Sequence, residues 1–216
     1  MKTKKNLLVF DIDGTLTDTV AIHQKAFIQA LQALGIQSFN AAFGTYQHHT
    51  DSHIAKVIYE SAMGQPFTPS LLERFEATLY EEIEQATIKE IKGGKKLVEK
   101  LEQHPDFGIC FATGSLYKPA LLKLERVGIA FDPLQLVASN QIEERENIVT
   151  QAINNAKTHY QTSHFDRIIS IGDGLWDLIT AQNLNLDFIG IGTTNQDVLI
   201  AHGMQRHFID LAHFEI

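Results

Sequence analysis

The sequence predicts an α/β protein in which one parallel sheet, covered on both faces by helices, carries an all-helical segment inserted after its first strand. Three observations predict it. A short apolar run at 7–10 ends in two aspartates. Residues from about 19 to 90 then follow helical period. Beyond Gly93-Gly94, short apolar runs alternate with helical stretches, the pattern of parallel strands joined by crossover helices.

The first run, within NLLVFDIDGTLTDT, reads as a buried strand bounded by polar residues. Asp13-Gly14 is also a good two-residue turn, so a hairpin with Thr15-Leu16-Thr17 as the returning strand competes with it. The change to helical period from Thr19 argues against the hairpin. Thr19 is placed to cap a helix through Leu34, with Phe27, Leu31 and Leu34 on one stripe and Gly35 as the stop. After the loop FNAAFGTYQHHTDSH, a helix carrying Ile54, Val57 and Ile58 runs to about Gly64. Thr68-Pro69 opens a third, with Leu72, Phe75, Leu79 and Ile83 facing one way. Further strands are expected at 107–112, 134–138, 167–171, 188–191 and 207–209, with helices at about 119–127, 144–160, 176–184 and 197–201. Residues 1–18 and 91–216 would form the core, and 19–90 a helical cap.

At 216 residues and 44% hydrophobic, the chain can bury a sizeable core. No apolar run approaches the ~20 residues of a membrane helix, and the opening MKTKKNLLVF is too brief an apolar stretch for a signal peptide, so a cytoplasmic location is expected. Cys110, the one cysteine, lies in an apolar run and reads as a small buried hydrophobe. The formal net charge is −8, with no basic stripe beyond Lys2, Lys4 and Lys5, expected to be a solvated tail. Nucleic acid is not an expected partner.

In an open parallel sheet ligands bind beyond the carboxyl ends of the strands. Three predicted strands end in polar residues there: Asp11-x-Asp13, Thr113-Gly114-Ser115, and Gly172-Asp173-Gly174 followed by Asp177. Buried carboxylates are costly unless paired or coordinated, so the set points to a hard cation. Glycine between small hydroxyl residues lets N–H and O–H groups approach phosphate oxygens. Singly, each stretch could be an ordinary turn or helix start. Their combination suits phosphoryl transfer.

DxDGTLTD at 11–18, the strand ending Thr113-Gly114-Ser115, and GDGLWD at 172–177 together resemble the haloacid dehalogenase-like hydrolases, in order and over the whole chain. The first motif is highly specific, the third fairly so, and the second weak alone. The resemblance implies a Rossmann-like core, a helical cap, Mg²⁺, and a phosphatase working through an aspartyl-phosphate, similar to the group holding β-phosphoglucomutase and phosphoglycolate phosphatase. It implies Asp11 as nucleophile and Asp13 as general acid and base. Mg²⁺ would sit on Asp11, the Asp13 carbonyl and Asp173, with Asp177 in support. The family's phosphate-binding lysine is replaced, with Arg145 the closest candidate and Lys118 in reserve; Arg145 could instead pair with its acidic neighbours on the surface. A sugar phosphomutase and a non-catalytic binder of a phosphorylated metabolite are the alternatives. The first lacks a Lys-Pro pair at its third motif here, and the second would keep two costly carboxylates without use.

The partner implied is a small phosphorylated metabolite, bound by a monomer or homodimer. His23, Tyr46, His48 and His49 are the candidates for contacting it. His48, His49 and His53 also suggest zinc, but no cysteine accompanies them, which favours a solvated or substrate-facing loop. Trp176 is expected to pack behind the acidic loop.

Overall fold

The computed structural model describes residues 4–215. Six parallel strands form one sheet: β1 (Asn6–Phe10), β2 (Phe107–Ala112), β3 (Leu136–Val137), β4 (Arg167–Gly172), β5 (Asp187–Ile191) and β6 (His207–Phe208). Their order is β3-β2-β1-β4-β5-β6, so the chain runs outward from β1 on one side and then restarts on the other. That reversal leaves a crevice at the carboxyl ends of β1 and β4, where such sheets bind ligands.

The strands are apolar on both faces because both are covered. Leu8 and Phe10 of β1 pack with Ile109, Phe111 and Ile171, and with Leu97 and Leu101 of helix α4 (Gly94–Gln103) below. Helices α1 (Val20–Ala33), α2 (Asp51–Met63) and α3 (Pro69–Glu84) precede it in the chain.

 The opposite face, Leu7 and Val9 with Cys110 and Ala112, packs on Ile148, Val149 and Ala152 of α6 (Arg145–His159). The helices α5 (Tyr117–Arg126), α7 (Leu175–Asn183) and α8 (Gln196–Ala201) complete the alternation.

Helices α1 to α3 close a separate apolar cluster around Phe27, Leu31, Ile58, Phe75, Leu79 and Ile83, to which α5 adds Leu116 at its N-cap and Leu122. The chain leaves and returns side by side: the Asp18 N–H donates to the Lys89 carbonyl (2.9 Å), and the Ile91 N–H to that of Leu16 (2.8 Å). The hairpin does not form, because the N–H groups of Thr15, Leu16 and Thr17 all turn back to the Ile12 carbonyl.

Several expectations shift. Asp132 caps a 3₁₀ turn over Pro133–Gln135, so β3 begins at Leu136 rather than at 134. Thr19 stands at the N-cap of α1 without capping it, since its hydroxyl donates to Asp13 Oδ1 instead. Lys2 lies outside the described residues, and Lys4 is no free tail: its ammonium donates to the carbonyls of Glu102 and His104. Cys110 is buried in β2 as expected. Among the described residues no helix is long and apolar enough to cross a membrane.

Candidate active site

Strand ends deliver the acidic groups. Asp11 follows β1, anchored by its N–H to the Ile171 carbonyl of β4 (2.9 Å), and Asp173 follows β4 directly. Asp177 stands in the first turn of α7, where its Oδ2 accepts from the Gly174 N–H (3.1 Å). Carboxylate oxygens of Asp11, Asp173 and Asp177 lie within 4.8 Å of one another. Gly14 makes that approach possible: it has φ +80°, and a Cβ there would sit 2.3 Å from the Asp173 carboxylate.

Arg145, the first residue of α6, is buried rather than paired on the surface. Its Nη2 donates to Asp11 Oδ1 (2.7 Å) and to Asp177 Oδ1 (2.5 Å), and its Nε to the same Asp177 oxygen (3.1 Å). Lys118 points elsewhere, exposed and 4.0 Å from Glu76. Thr113, Gly114 and Ser115 follow β2 and line the cavity over Asp11. A Cβ on Gly114 would lie 2.5 Å from Arg145 Nη1, so the glycine admits the guanidinium.

Two residues that sequence reasoning missed join this site. Lys123 of α5 is fully buried, with Nζ 2.7 Å from Asp13 Oδ2, 2.9 Å from His23 Nδ1 and 3.4 Å from Ser115 Oγ. An ammonium only donates, so His23 Nδ1 accepts and its Nε2–H donates to Asp51 Oδ1 (2.8 Å). Asp51, at the start of α2, completes a polar chain from the sheet edge to the helical layer. Lys123 was findable: Pro119-Ala120-Leu121-Leu122-Lys123-Leu124 is apolar on both sides of a helix, which leaves the lysine no solvent face.

The carboxylates differ in their environments. Burial raises Asp11 to about 8, helped by the Asp177 charge and opposed by Arg145. Burial likewise raises Asp173 to about 9, with Asp177 and Asp11 adding to it. Asp13 goes the other way: burial would raise it, but the Lys123 charge and hydrogen bonds from Lys123 and Thr19 hold it at about 2. Two neighbouring carboxyl groups are thus set apart by their surroundings, with the protonated form favoured at Asp11 and the ionised form at Asp13 in the metal-free chain.

Of the residues expected to face a substrate, His23 and His49 line the cavity over Asp11. Tyr46 and His48 line an adjoining groove, which shares His49 and Trp176 with the cavity. Trp176 lies against Gly174 of the acidic loop and also faces the cavity, stacked on His49 with centroids 3.6 Å apart and planes 5° apart. His48 meets His53 edge-on, and His53 pairs with Glu143 (3.1 Å), an arrangement without a set of metal ligands.

The acidic cluster fits a hard cation. Asp173 Oδ1 is buried without a hydrogen-bond partner, whereas both oxygens of Asp177 are already engaged. An all-oxygen donor set with one uncommitted buried carboxylate oxygen is what such an ion requires.

A Rossmann-like parallel sheet with this carboxylate edge and a helical layer above it defines a class of hydrolase. A family model described as haloacid dehalogenase-like hydrolase matches residues 8–191, and the chain belongs to that family. It is 26% identical over 192 residues to a phosphoglycolate phosphatase of Rhodobacter capsulatus, covering 84% of this chain and 82% of that protein. The fold resembles a hydrolase from Pseudomonas syringae (TM-score 0.72, 20% identity, 97% of this chain and 94% of that one). It also resembles CbbY from Rhodobacter sphaeroides in complex with phosphate (TM-score 0.72, 16% identity, 96% and 95%).

Proposed function

We propose that the protein is a Mg²⁺-dependent phosphatase that hydrolyses a small phosphomonoester through an aspartyl-phosphate on Asp11. The observation that carries this reading is the pair of carboxyl groups, Asp11 in the acidic cluster and Asp13 on Lys123, two residues apart with opposed environments. Asp11, Asp173 and the Asp13 carbonyl hold the ion, with Asp177 in support. Bound there, Mg²⁺ supplies charge that keeps Asp11 ionised and offsets its repulsion from the phosphate.

The phosphoryl group rests on Thr113, the Gly114 backbone and Ser115. Arg145 holds Asp11 in place through Nη2, while Nη1, whose contact with the His49 carbonyl is a long 3.5 Å, is free to donate to phosphate oxygens. Asp11 attacks phosphorus and the P–O bond to the alcohol breaks; Asp13, ionised beside Lys123 in the free chain, takes up a proton as the ester's negative charge enters and gives it to the leaving oxygen. Asp13 then takes a proton from the water that attacks the aspartyl-phosphate. Residues 19–90 act as a cap on the core formed by 1–18 and 91–216, excluding bulk water from the reaction.

Phosphate release from an aryl phosphate, with Mg²⁺ or with chelator, tests this beside Asp11→Asn. Release should fall by about three orders of magnitude or more in the variant, with its circular dichroism unchanged. Substantial turnover by Asp11→Asn would remove Asp11 as the nucleophile.

A further inference from the structure

If the site is that of a phosphatase, its lining also restricts the ester it accepts. Among the described residues, Arg145 is the one lysine or arginine that lines the cavity over Asp11, and it is bound to Asp11 and Asp177. Lys123 lies beneath, fully buried and engaged by Asp13 and His23. Five aspartates, Asp11, Asp13, Asp51, Asp173 and Asp177, stand around these two cations. A divalent ion still leaves a formal excess of one negative charge before any phosphate arrives. No side chain is then left to neutralise a second anion on the substrate, and the surplus negative charge repels one.

The remaining wall is neutral. Val20 and Gln24 of α1 face it from one side, and the stacked rings of His49 and Trp176 from another. Burial and the nearby Arg145 charge push His49 down to about 4, so its ring offers no cation near neutral pH. Asp51 presents carboxylate oxygens, already taking hydrogen bonds from His23 and the Leu116 N–H, that can accept further from hydroxyl groups. The exposed Gln24 amide both donates and accepts. The space is small, about 80 Å³.

We infer that the substrate is the monophosphate of a small neutral alcohol or sugar, its hydroxyl groups read by Gln24 and Asp51, and that esters carrying a second anionic group are poor substrates. The chain would then differ in preference from the Rhodobacter capsulatus phosphoglycolate phosphatase to which it is similar.

A matched pair of esters tests this: 2-hydroxyethyl phosphate and 2-phosphoglycolate differ by a hydroxymethyl group in place of a carboxylate. With Mg²⁺ present, kcat/KM should be at least about tenfold higher for the neutral ester, and Gln24→Arg should narrow that ratio by favouring phosphoglycolate. An aryl phosphate run alongside separates the two levels of the argument. Its hydrolysis together with equal or better use of phosphoglycolate overturns the inference and leaves the phosphatase standing. No release from any ester overturns both.

Discussion

Lys123 decides how Asp13 behaves. Its ammonium is fully buried 2.7 Å from a carboxylate that is itself only partly exposed, so each charge depends on the other. Lys123→Met leaves Asp13 without its main counter-charge and should cost about 3 kcal/mol, near the low end for breaking a buried pair because Asp13 retains some solvent. The pH dependence has a definite sign. A carboxyl held at about 2 in the folded chain, against ~3.9 unfolded, contributes stability that is present above about pH 4 and lost as pH falls toward 2. The variant lacks that contribution, so its acid unfolding midpoint should lie at higher pH than the wild type's. Urea titrations at neutral and acid pH measure both effects; an unchanged acid midpoint would show that Lys123 does not set the Asp13 charge.

Helix α5 is held at its start by other elements. Leu116 stands at its N-cap and has no side-chain oxygen to accept from the first N–H groups. The Leu116 N–H donates to Asp51 Oδ2 (3.0 Å), that of Tyr117 to Asn140 Oδ1 (2.7 Å), and that of Lys118 to Glu76 Oε1 (3.1 Å). Asp51 and Glu76 belong to α2 and α3, so the helical layer caps a core helix beside the Thr113-Gly114-Ser115 loop. Glu76→Ala strands the Lys118 N–H and the Asn140 amide that shares the same oxygen, and should cost about 1–3 kcal/mol. Hydrogen exchange should speed up at Lys118 while β1 keeps its protection; equal protection at Lys118 would mean that Glu76 does not hold this end. The same helix shows what the sequence makes legible. Its apolar pattern predicts a helix, and the aspartates closing β1 and β4 predict the acidic edge, because both signals are local. The partners that hold the start of α5, and the Asp13 and His23 groups that Lys123 meets, lie up to 110 positions away, which no local pattern records. For the same reason Thr19 reads as a helix cap but serves Asp13.

At the scale of the whole molecule, the site joins the ends of β1 and β4 to α6 and α7, so a cation bound there stabilises the arrangement of several elements at once. Metal-free, Asp11 lies at about 8 and Asp173 at about 9, both far above the ~3.9 of an unfolded chain. Groups raised in this way favour the folded state fully below about pH 4, and that contribution is lost as pH rises through 8 to 9. The metal-free protein should therefore lose stability toward alkaline pH, while a cation that needs both carboxylates ionised binds more tightly there. At about a hundred times its Kd, Mg²⁺ adds about 2.7 kcal/mol. For a chain of this size that is a rise in Tm of about 5–10 °C. Melting curves with Mg²⁺ and with chelator should show a larger increment at about pH 8.5 than at about pH 6. Asp173→Asn should remove most of the increment, because it takes away the carboxylate with the uncommitted buried oxygen. An increment that is the same at both pH values, or that survives in Asp173→Asn, would place the ion somewhere other than on these carboxylates.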